Sequence, residues 1–479
     1  MSGNGSACLS LKGGISHSEP DATSEAGLAS SESVDEQGTL TDAYVIEEGP
    51  EQKRGEPQNL SVLGASSGSQ IGSRQLMIRK LYAVWTLNMI SWMTIADAKV
   101  LAYLNHYKGD TAACMRASSQ GAFAMMLSNF AIAPALAQVA DALGRRSLLL
   151  LGPAWCLALR TAELLSPRAP TFIVTSALSA FCSATVQGVL TAMTDLFPGD
   201  PQGAGEALAM LQTGTLVGAV LGPALGSSLA VRGLRWPVGL SALFSFLQVC
   251  LTLRSVPETL PDKERSPAHL TLRRPRSPLV CVRLFCRGPQ LAAAAVAQLF
   301  AHFTEPIMLG RVSALILAET LGWDAARRGR YAAFEAAVTL PGLLLAGVAA
   351  RAPCAWAALT AAVGTRLAQH LLQWLCVRGP WLQVAVVPLT AAHGAEQATL
   401  SALVLEAGAR SGLAQSELRG SLQGLQSLAN MIAILLWTKW FEFCKQIGRP
   451  RRFYMGAAAA ASCELVAGCI ATACGSANV

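Results

Sequence analysis

Residues 137–146 read AQVADALGRR and join two long apolar segments, 119–140 and 147–166. A tight turn between two helices needs glycine for its backbone, and a carboxylate such as that of Asp141 can accept hydrogen bonds at a helix end. The two arginines that follow suit a loop lying at an anionic cytosolic membrane surface. The stretch therefore predicts a turn between two membrane-spanning helices.

Apolar segments of this kind recur through most of the chain. Of its 479 residues, 52% are hydrophobic and 14% are charged, whereas soluble domains contain about 25% charged residues. Each segment is long enough to cross roughly 30 Å of hydrocarbon as a helix, and the ten-residue alternation of a membrane barrel is absent. The segments, called spans 1 to 12 below, are 80–103, 119–140, 147–166, 171–196, 206–230, 236–256, 289–318, 329–350, 353–377, 381–405, 420–440 and 453–475. The sequence predicts an all-α membrane protein with twelve transmembrane helices in two six-helix bundles.

Polar stretches divide the chain into four regions. Residues 1–75 are acidic and rich in Ser and Gly, and we expect a disordered cytosolic tail because they cannot bury enough apolar surface to fold. Residues 257–288 are polar and basic, which predicts a cytosolic central loop. The two bundles are then residues 76–256 and 289–479. Basic residues after span 11 oppose this orientation, but the first helix and the central loop usually set it.

Composition and motifs exclude several classes of protein. The net charge of +7 is scattered between apolar segments rather than gathered in one patch, so nucleic acid is not an expected partner. The thirteen Cys form no CxxC pair, which argues against a zinc site. HExxH and GxxxxGK[ST] motifs are absent, so we expect no enzyme, no metal and no cofactor. The expected partners are a small-molecule substrate, membrane lipid and, for a coupled transporter, protons.

A second pattern lies in span 5, where residues 218–226 read GAVLGPALG. Gly218, Gly222 and Gly226 recur at every fourth position, so they form one smooth helix face that allows close packing. Pro223 removes a backbone hydrogen bond and bends the helix. Two shorter patterns follow: VPETL at 256–260 ends span 6, and ELRGSLQGL at 417–425 enters span 11.

These patterns, in this order, resemble the motifs of the major facilitator superfamily, and in particular of its tetracycline/drug:proton antiporter branch. Residues 137–146 are similar to the GxLADRxGRR signature between the second and third helices, with two positions changed to alanine. The resemblance implies that Asp141, Gly144, Arg145 and Arg146 form a gating motif, in which Asp141 and Arg145 hold the cytosolic ends of the two bundles together.

The other patterns extend the resemblance to about residues 78–475. GAVLGPALG resembles the GxxxGPxxGG motif of antiporters, and VPETL resembles the PET element at the end of the sixth helix. ELRGSLQGL resembles the QGxLQG segment of the eleventh helix, with Arg419 in place of Gln. The implied fold is the two-bundle facilitator fold with alternating access.

Two positions depart from the antiporter pattern by losing charge. Thr86-Leu87-Asn88 stands where the antiporters have TLD, and Ser176 stands at the usual position of an arginine in the fourth helix. A charge in a membrane costs roughly 3 kcal/mol, so it is usually lost when its role is lost. Proton coupling is therefore expected elsewhere in the chain, or not at all.

Ionisable residues inside the spans are functional candidates for the same reason. The resemblance implies a cavity between spans 1, 4, 7 and 10, so the predicted cavity residues are Asn88, Asp97, Gln187, Glu305, His393 and Glu396. His393 and Glu396 are three residues apart on one helix face and are the expected replacement proton site. For Arg366 and Glu464, a packing pair between helices or a place at the membrane interface is the stronger expectation.

The leading hypothesis is a secondary active transporter of a small organic solute that works by proton-coupled antiport with alternating access. It would be an integral, multi-pass membrane protein, in a membrane that the sequence does not specify. Two alternatives stay open. One is an uncoupled facilitator, and the other is a transporter-like receptor or scaffold that no longer transports.

Overall fold

The computed structural model describes residues 67–197, 201–260, 278–304, 306–349, 355–376, 384–412 and 415–476. Most of these residues are helical, and none of them forms a strand. The predicted tail therefore lies outside the described residues up to position 66.

Eight α-helices build spans 1 to 6. They are α1 Ser67–Thr94, α2 Ala96–His106, α3 Thr111–Leu143, α4 Arg145–Leu165, α5 Ala169–Leu178, α6 Ser183–Asp195, α7 Pro201–Ala230 and α8 Arg235–Ser255. Span 1 consists of α1 and α2, with Ile95 between them, and span 4 consists of α5 and α6, joined by a 3-10 turn at Ser179–Cys182.

The central loop and spans 7 to 12 follow. A 3-10 helix at Pro278–Phe285 precedes α9 Pro289–Phe303, α10 Pro306–Leu321, α11 Ala325–Ala349, α12 Ala355–Cys376, α13 Ala391–Arg410, α14 Gln415–Gln446 and α15 Phe453–Ser476. Span 7 consists of α9 and α10, and in span 10 a 3-10 turn at Val387–Thr390 precedes α13.

Several helices are longer than their apolar segments predicted. The first begins at Ser67, within the range assigned to the tail, and α3 begins at Thr111 rather than at 119. The early start of α3 has a local cause, because Asp110 Oδ1 accepts hydrogen bonds from the backbone N–H groups of Ala112 at 2.9 Å and Ala113 at 3.3 Å. The end of α14 is also extended, and there Glu442 pairs with Arg116 of α3 at 3.1 Å. Polar contacts thus continue these helices beyond the apolar region.

Among the residues that the structure describes, five helical segments are by themselves long and apolar enough to cross a membrane. They are Arg145–Leu165, Ala169–Asp195, Met210–Ala230, Arg235–Ser255 and Pro450–Ile470. In span 7, α9 has 15 residues and α10 has 16, so each helix alone is shorter than the roughly 20 residues of a typical membrane crossing.

The spans pack against one another both within each half of the chain and between the two halves. In the first half, α1 lies against α7 and α8, and α4 lies against α6 and α8. In the second half, α12 packs on α13 and α15, and α9 packs on α15. The two halves meet where α7 contacts α11 and where α3 contacts α14.

The two ends of the molecule are named after the residues Asp110 and Gly144. The Asp110 end is where α2 turns into α3 and where α10 and α14 finish; the Gly144 end is where α3 turns into α4 and where α8 finishes. An apolar cluster near the Asp110 end includes Tyr103 and Met115 from the first half and Ile316, Trp437 and Phe441 from the second. The two halves therefore share a continuous core at that end.

Candidate functional site

The Gly144 turn joins α3 to α4 with no intervening loop. Gly144 has φ 91°, in the left-handed region that favours glycine. A Cβ atom at this position would overlap the carboxylate of Glu258, whose Oε1 would lie 3.1 Å away. Glycine is therefore required here both by the backbone conformation and by the neighbouring side chain.

Glu258 ties the turn to the PET element. Its Oε1 accepts a hydrogen bond from the backbone N–H of Arg145 at 2.8 Å, and its Oε2 accepts one from Arg146 at 3.2 Å. A carboxylate at this place satisfies free N–H groups at the start of α4 and interacts favourably with the helix dipole. Two patterns that lie more than a hundred residues apart in the sequence are thus one structural unit.

The two arginine side chains of the turn bind within the first half of the chain. Arg145 Nε donates to Asp195 Oδ2 of α6 at 3.0 Å, and Arg146 Nη2 donates to the backbone oxygen of Leu253 at 2.8 Å. The side chain of Asp141 lies outside the described residues, so its expected pairing with Arg145 stays a prediction. The described contacts of the motif anchor spans 3, 4 and 6 to one another.

The glycine face of span 5 packs against span 1. A Cβ on Gly218 would lie 2.8 Å from the backbone carbon of Met89, and one on Gly222 would lie 2.9 Å from that of Met93. Gly226 lies equally close to Thr94, the last residue of α1. These glycines let α1 and α7 approach to backbone contact. The carbonyl oxygen of Pro223 faces Gly329 of α11, which brings the second half of the chain onto the same helix.

A buried charged cluster joins spans 1, 3 and 4. Glu163 is completely buried in α4 and forms an ion pair with Arg160, accepts a hydrogen bond from Thr175 Oγ1 at 2.5 Å and lies 3.6 Å from Lys99 Nζ. Lys99 also donates to Ser176 Oγ at 2.9 Å. Among these described residues there are two cationic side chains and one anionic side chain.

A second buried cluster joins spans 9, 10 and 12. Arg366 is 2% exposed, and it donates to Glu396 Oε1 at 2.5 Å and forms an ion pair with Glu464. His393 lies beside them, with Nδ1 3.5 Å from Arg366 Nη1 and 4.0 Å from Glu396 Oε1. The carboxyl groups of Glu396 and Glu464 also lie within hydrogen-bonding reach of each other. One guanidinium therefore serves two buried carboxylates.

Two of the predicted cavity residues, His393 and Glu396, lie together in the structure. Their partners are Arg366 and Glu464, for which a packing pair between helices or a place at the membrane interface was the stronger expectation. Asn88 and Gln187 are buried in α1 and α6, and their side chains make no hydrogen bond with the other predicted residues that the structure describes.

Asp97 is buried in α2, and the second half of the chain supplies its charged neighbour, Arg328. Glu305 lies outside the described residues.

Besides Arg366 and Glu464, four charged residues of these clusters were absent from the predicted cavity set: Lys99, Arg160, Glu163 and Arg328. Lys99 and Glu163 lie inside spans 1 and 3, so their position in a predicted membrane helix was a usable signal. Arg328 lies just before the predicted start of span 8 at 329, although α11 begins at Ala325 and includes it. Among the residues that the structure describes, no group of three His, Cys, Asp or Glu side chains could hold a metal ion.

Comparison with known proteins gives the family. The family model described as Major Facilitator Superfamily matches residues 81–438. The chain belongs to the major facilitator superfamily. It is therefore an integral, multi-pass membrane transporter and not an enzyme, and its fold is two six-helix bundles with twelve transmembrane helices.

A solved structure supports the fold. The crystal structure of the human organic anion transporter MFSD10 (TETRAN) superposes with a TM-score of 0.63 at 16% sequence identity, and the alignment covers 83% of this superfamily chain and 99% of that chain. No curated protein matches the chain.

Proposed function

We propose that this superfamily member exchanges protons for a small organic solute and that Glu396, with Arg366 and Glu464, is the proton site. The observation that carries the proposal is the ratio of charges in the second buried cluster, where one guanidinium faces two carboxylates. Glu396 is 0% exposed and Glu464 is 1% exposed. With both carboxylates ionised the cluster would hold one uncompensated negative charge in a low-dielectric site, which is costly.

A bound proton removes this surplus charge. The charged and titratable groups nearest Glu396 are Arg366 of α12, Glu464 of α15, and His393 of its own helix. His302 of α9 and His370 of α12 lie close enough to act electrostatically on the same cluster. The pair Arg366–Glu396 joins spans 9 and 10, so proton binding or release at the carboxylate changes the force between these two spans. A site of this kind makes the conformational switch depend on protonation.

The antiporter branch is the assignment within the superfamily that agrees with this chemistry. The glycine face of span 5, with Pro223, is the motif that supports it. Asn88 and Ser176 are uncharged, whereas antiporters have charged residues at these positions. The described structure has buried charged groups at other positions instead, at Lys99 and in the Arg366 cluster.

Organic anions are the first solutes to test. The Lys99 cluster in the first half has two cationic side chains for one anionic side chain, which favours an anionic ligand over a cationic one. The structural likeness to an organic anion transporter points to the same class of solute.

The decisive experiment compares Glu396→Gln with Glu406→Gln in proteoliposomes. Both residues lie in α13, but Glu406 is exposed and pairs with Arg410 one turn away at 2.5 Å. 6-Carboxyfluorescein serves as the anionic probe and ethidium as the cationic probe, with and without a pH gradient. We expect Glu396→Gln to abolish gradient-driven accumulation of the anionic probe and to retain exchange without a gradient, whereas Glu406→Gln resembles the unmodified protein.

Two outcomes would contradict the proposal. Transport by the unmodified protein that ignores the pH gradient would make it an uncoupled facilitator. Coupled transport that survives Glu396→Gln would place the proton site elsewhere in the chain.

A further inference from the structure

Two buried residues of opposite charge lie on helices that contact each other across the interface between the halves, α2 and α11. Asp97 is the second residue of α2 and is 8% exposed, and Arg328 is the fourth residue of α11 and is 5% exposed. Each is the other's charged neighbour from the opposite half, close enough for an electrostatic interaction. Asp324 is the other acid that acts on Arg328.

The two residues nevertheless make no direct ion pair. Arg328 Nη1 donates to the backbone oxygen of Trp323 at 2.8 Å, while its Nε has no partner. Asp97 Oδ2 is likewise buried without a hydrogen bond. A buried ionised group without a direct partner is destabilising, so neither half gains from burying its own charge here. The attraction across the interface offsets part of this cost, because excluding water strengthens it.

This pair lies towards the end where the halves are joined. Among the described residues, both ion pairs between the halves are at the Asp110 end: Arg116–Glu442 at 3.1 Å and Lys445–Asp110 at 3.6 Å. Thr111 also donates to Glu319 at 2.8 Å. Further in, the hydroxyl groups of Ser119 and Thr438 are 2.5 Å apart. Polar contacts therefore hold the two halves together at this end.

We propose that Arg328, acting through Asp97, is a positioning residue that sets how firmly the Asp110 end of the transporter stays closed. Closing this end brings the two charges together in a dry interface, and opening it separates them but lets water solvate each one. Because the attraction and the hydration oppose each other, the pair tunes the balance between two states rather than locking one of them. This inference rests on the alternating access of the proposed function, but it requires neither proton coupling nor a particular solute.

Hydrogen–deuterium exchange of the full chain in lipid nanodiscs tests the proposal without substrate or pH gradient. The variants are Asp97→Asn, Arg328→Gln and the combination of both. The matched control is Arg330→Gln, which removes an exposed arginine two residues further along α11. We expect each single variant to raise exchange about fivefold in the segments 104–116 and 438–450, and the control to leave it unchanged.

Three further comparisons separate an interface role from general packing. The combined variant should exchange no faster than either single variant, because each one already removes the interaction. Arg328→Lys should restore much of the protection, and so should the reversal Asp97→Arg with Arg328→Asp. The segment 391–400, which contains Glu396, should keep its protection in every variant.

Unchanged exchange in both single variants would overturn the proposal. Additive effects in the combined variant would also overturn it, as would faster exchange throughout both halves. None of these results depends on Glu396, so a failure here is distinct from a failure of the proton-site proposal.

Discussion

Lys99 Nζ of α2 donates a 2.9 Å hydrogen bond to Ser176 Oγ of α5, so a cation from span 1 occupies the surroundings of a position in span 4 where the antiporter resemblance leads one to expect arginine. The same ammonium group lies 3.6 Å from the buried carboxylate of Glu163. The charge that the sequence comparison found missing from span 4 is therefore present in space and reaches the site from a different helix.

Replacing Lys99 should destabilise the first half of the chain. In Lys99→Gln, Glu163 loses one of its two cationic partners while it remains buried, and we expect a loss of about 2 kcal/mol. Thermal unfolding in detergent measures the change, and Lys439→Gln is the control because that lysine is 81% exposed. Equal unfolding temperatures for the two variants would show that Arg160 alone satisfies Glu163.

The Gly144 turn should tolerate no Cβ atom. Gly144→Ala and Gly109→Ala both place alanine at a positive φ, 91° and 85°, but only Gly144 has the Glu258 carboxylate against it, whereas Gly109 has nothing within 4 Å. We expect Gly144→Ala to cost about 2 kcal/mol more than Gly109→Ala, because the side chain must displace the carboxylate that caps α4. The unfolding temperatures of the two variants give the comparison. Similar losses would mean that backbone strain alone requires glycine there.

The close approach of α1 and α7 should depend on the glycine face. In Gly222→Ala the new methyl group meets the backbone of Met93, and we expect a loss of about 2 kcal/mol. Gly364→Ala in α12 is the control, since a Cβ at that position meets nothing within 4 Å. It should be neutral or slightly stabilising, because alanine favours a helix more than glycine does. A harmless Gly222→Ala would show that α1 and α7 can separate without loss.

The Asp110 cap should make stability depend on pH in the acid range. The backbone N–H of Ala113 and then that of Ala112, with the charges of Lys445 and Arg116, lower the pKa of Asp110 below its usual 3.8. Because the native pKa is lowered, the ionised carboxylate makes its full contribution to the free energy of unfolding above about pH 3.8. This contribution is lost as the pH falls through the lower pKa of the native state.

The comparison with Asp110→Asn isolates this charge, because asparagine also caps helices but does not titrate. We expect the unmodified protein to unfold at a higher temperature than Asp110→Asn at pH 7, and the difference to shrink as the pH approaches 3. A constant difference across this range would assign the effect to the geometry of the cap rather than to its charge.

The sequence by itself determined the family, the order of the spans and the turns that carry the motifs. A helix that crosses the hydrocarbon layer requires an unbroken apolar segment, and a tight turn or a close helix contact requires glycine. Residues that are neighbours in the chain meet both requirements, so a local sequence pattern reveals them. The ends of helices were predicted less well, because polar groups rather than apolar composition determine them. The Asp110 side chain caps the early start of α3, and the extended end of α14 pairs with α3 through Glu442 and Arg116.

Only the tertiary structure decided which charged residues act together. Lys99 and Ser176 are 77 positions apart, and Arg366 and Glu464 are 98 positions apart, so no local pattern connects them. Asp97 and Arg328 even come from different halves of the chain. The free energy of a buried charge depends on the partners that surround it in space, and helix packing brings those partners from distant parts of the sequence.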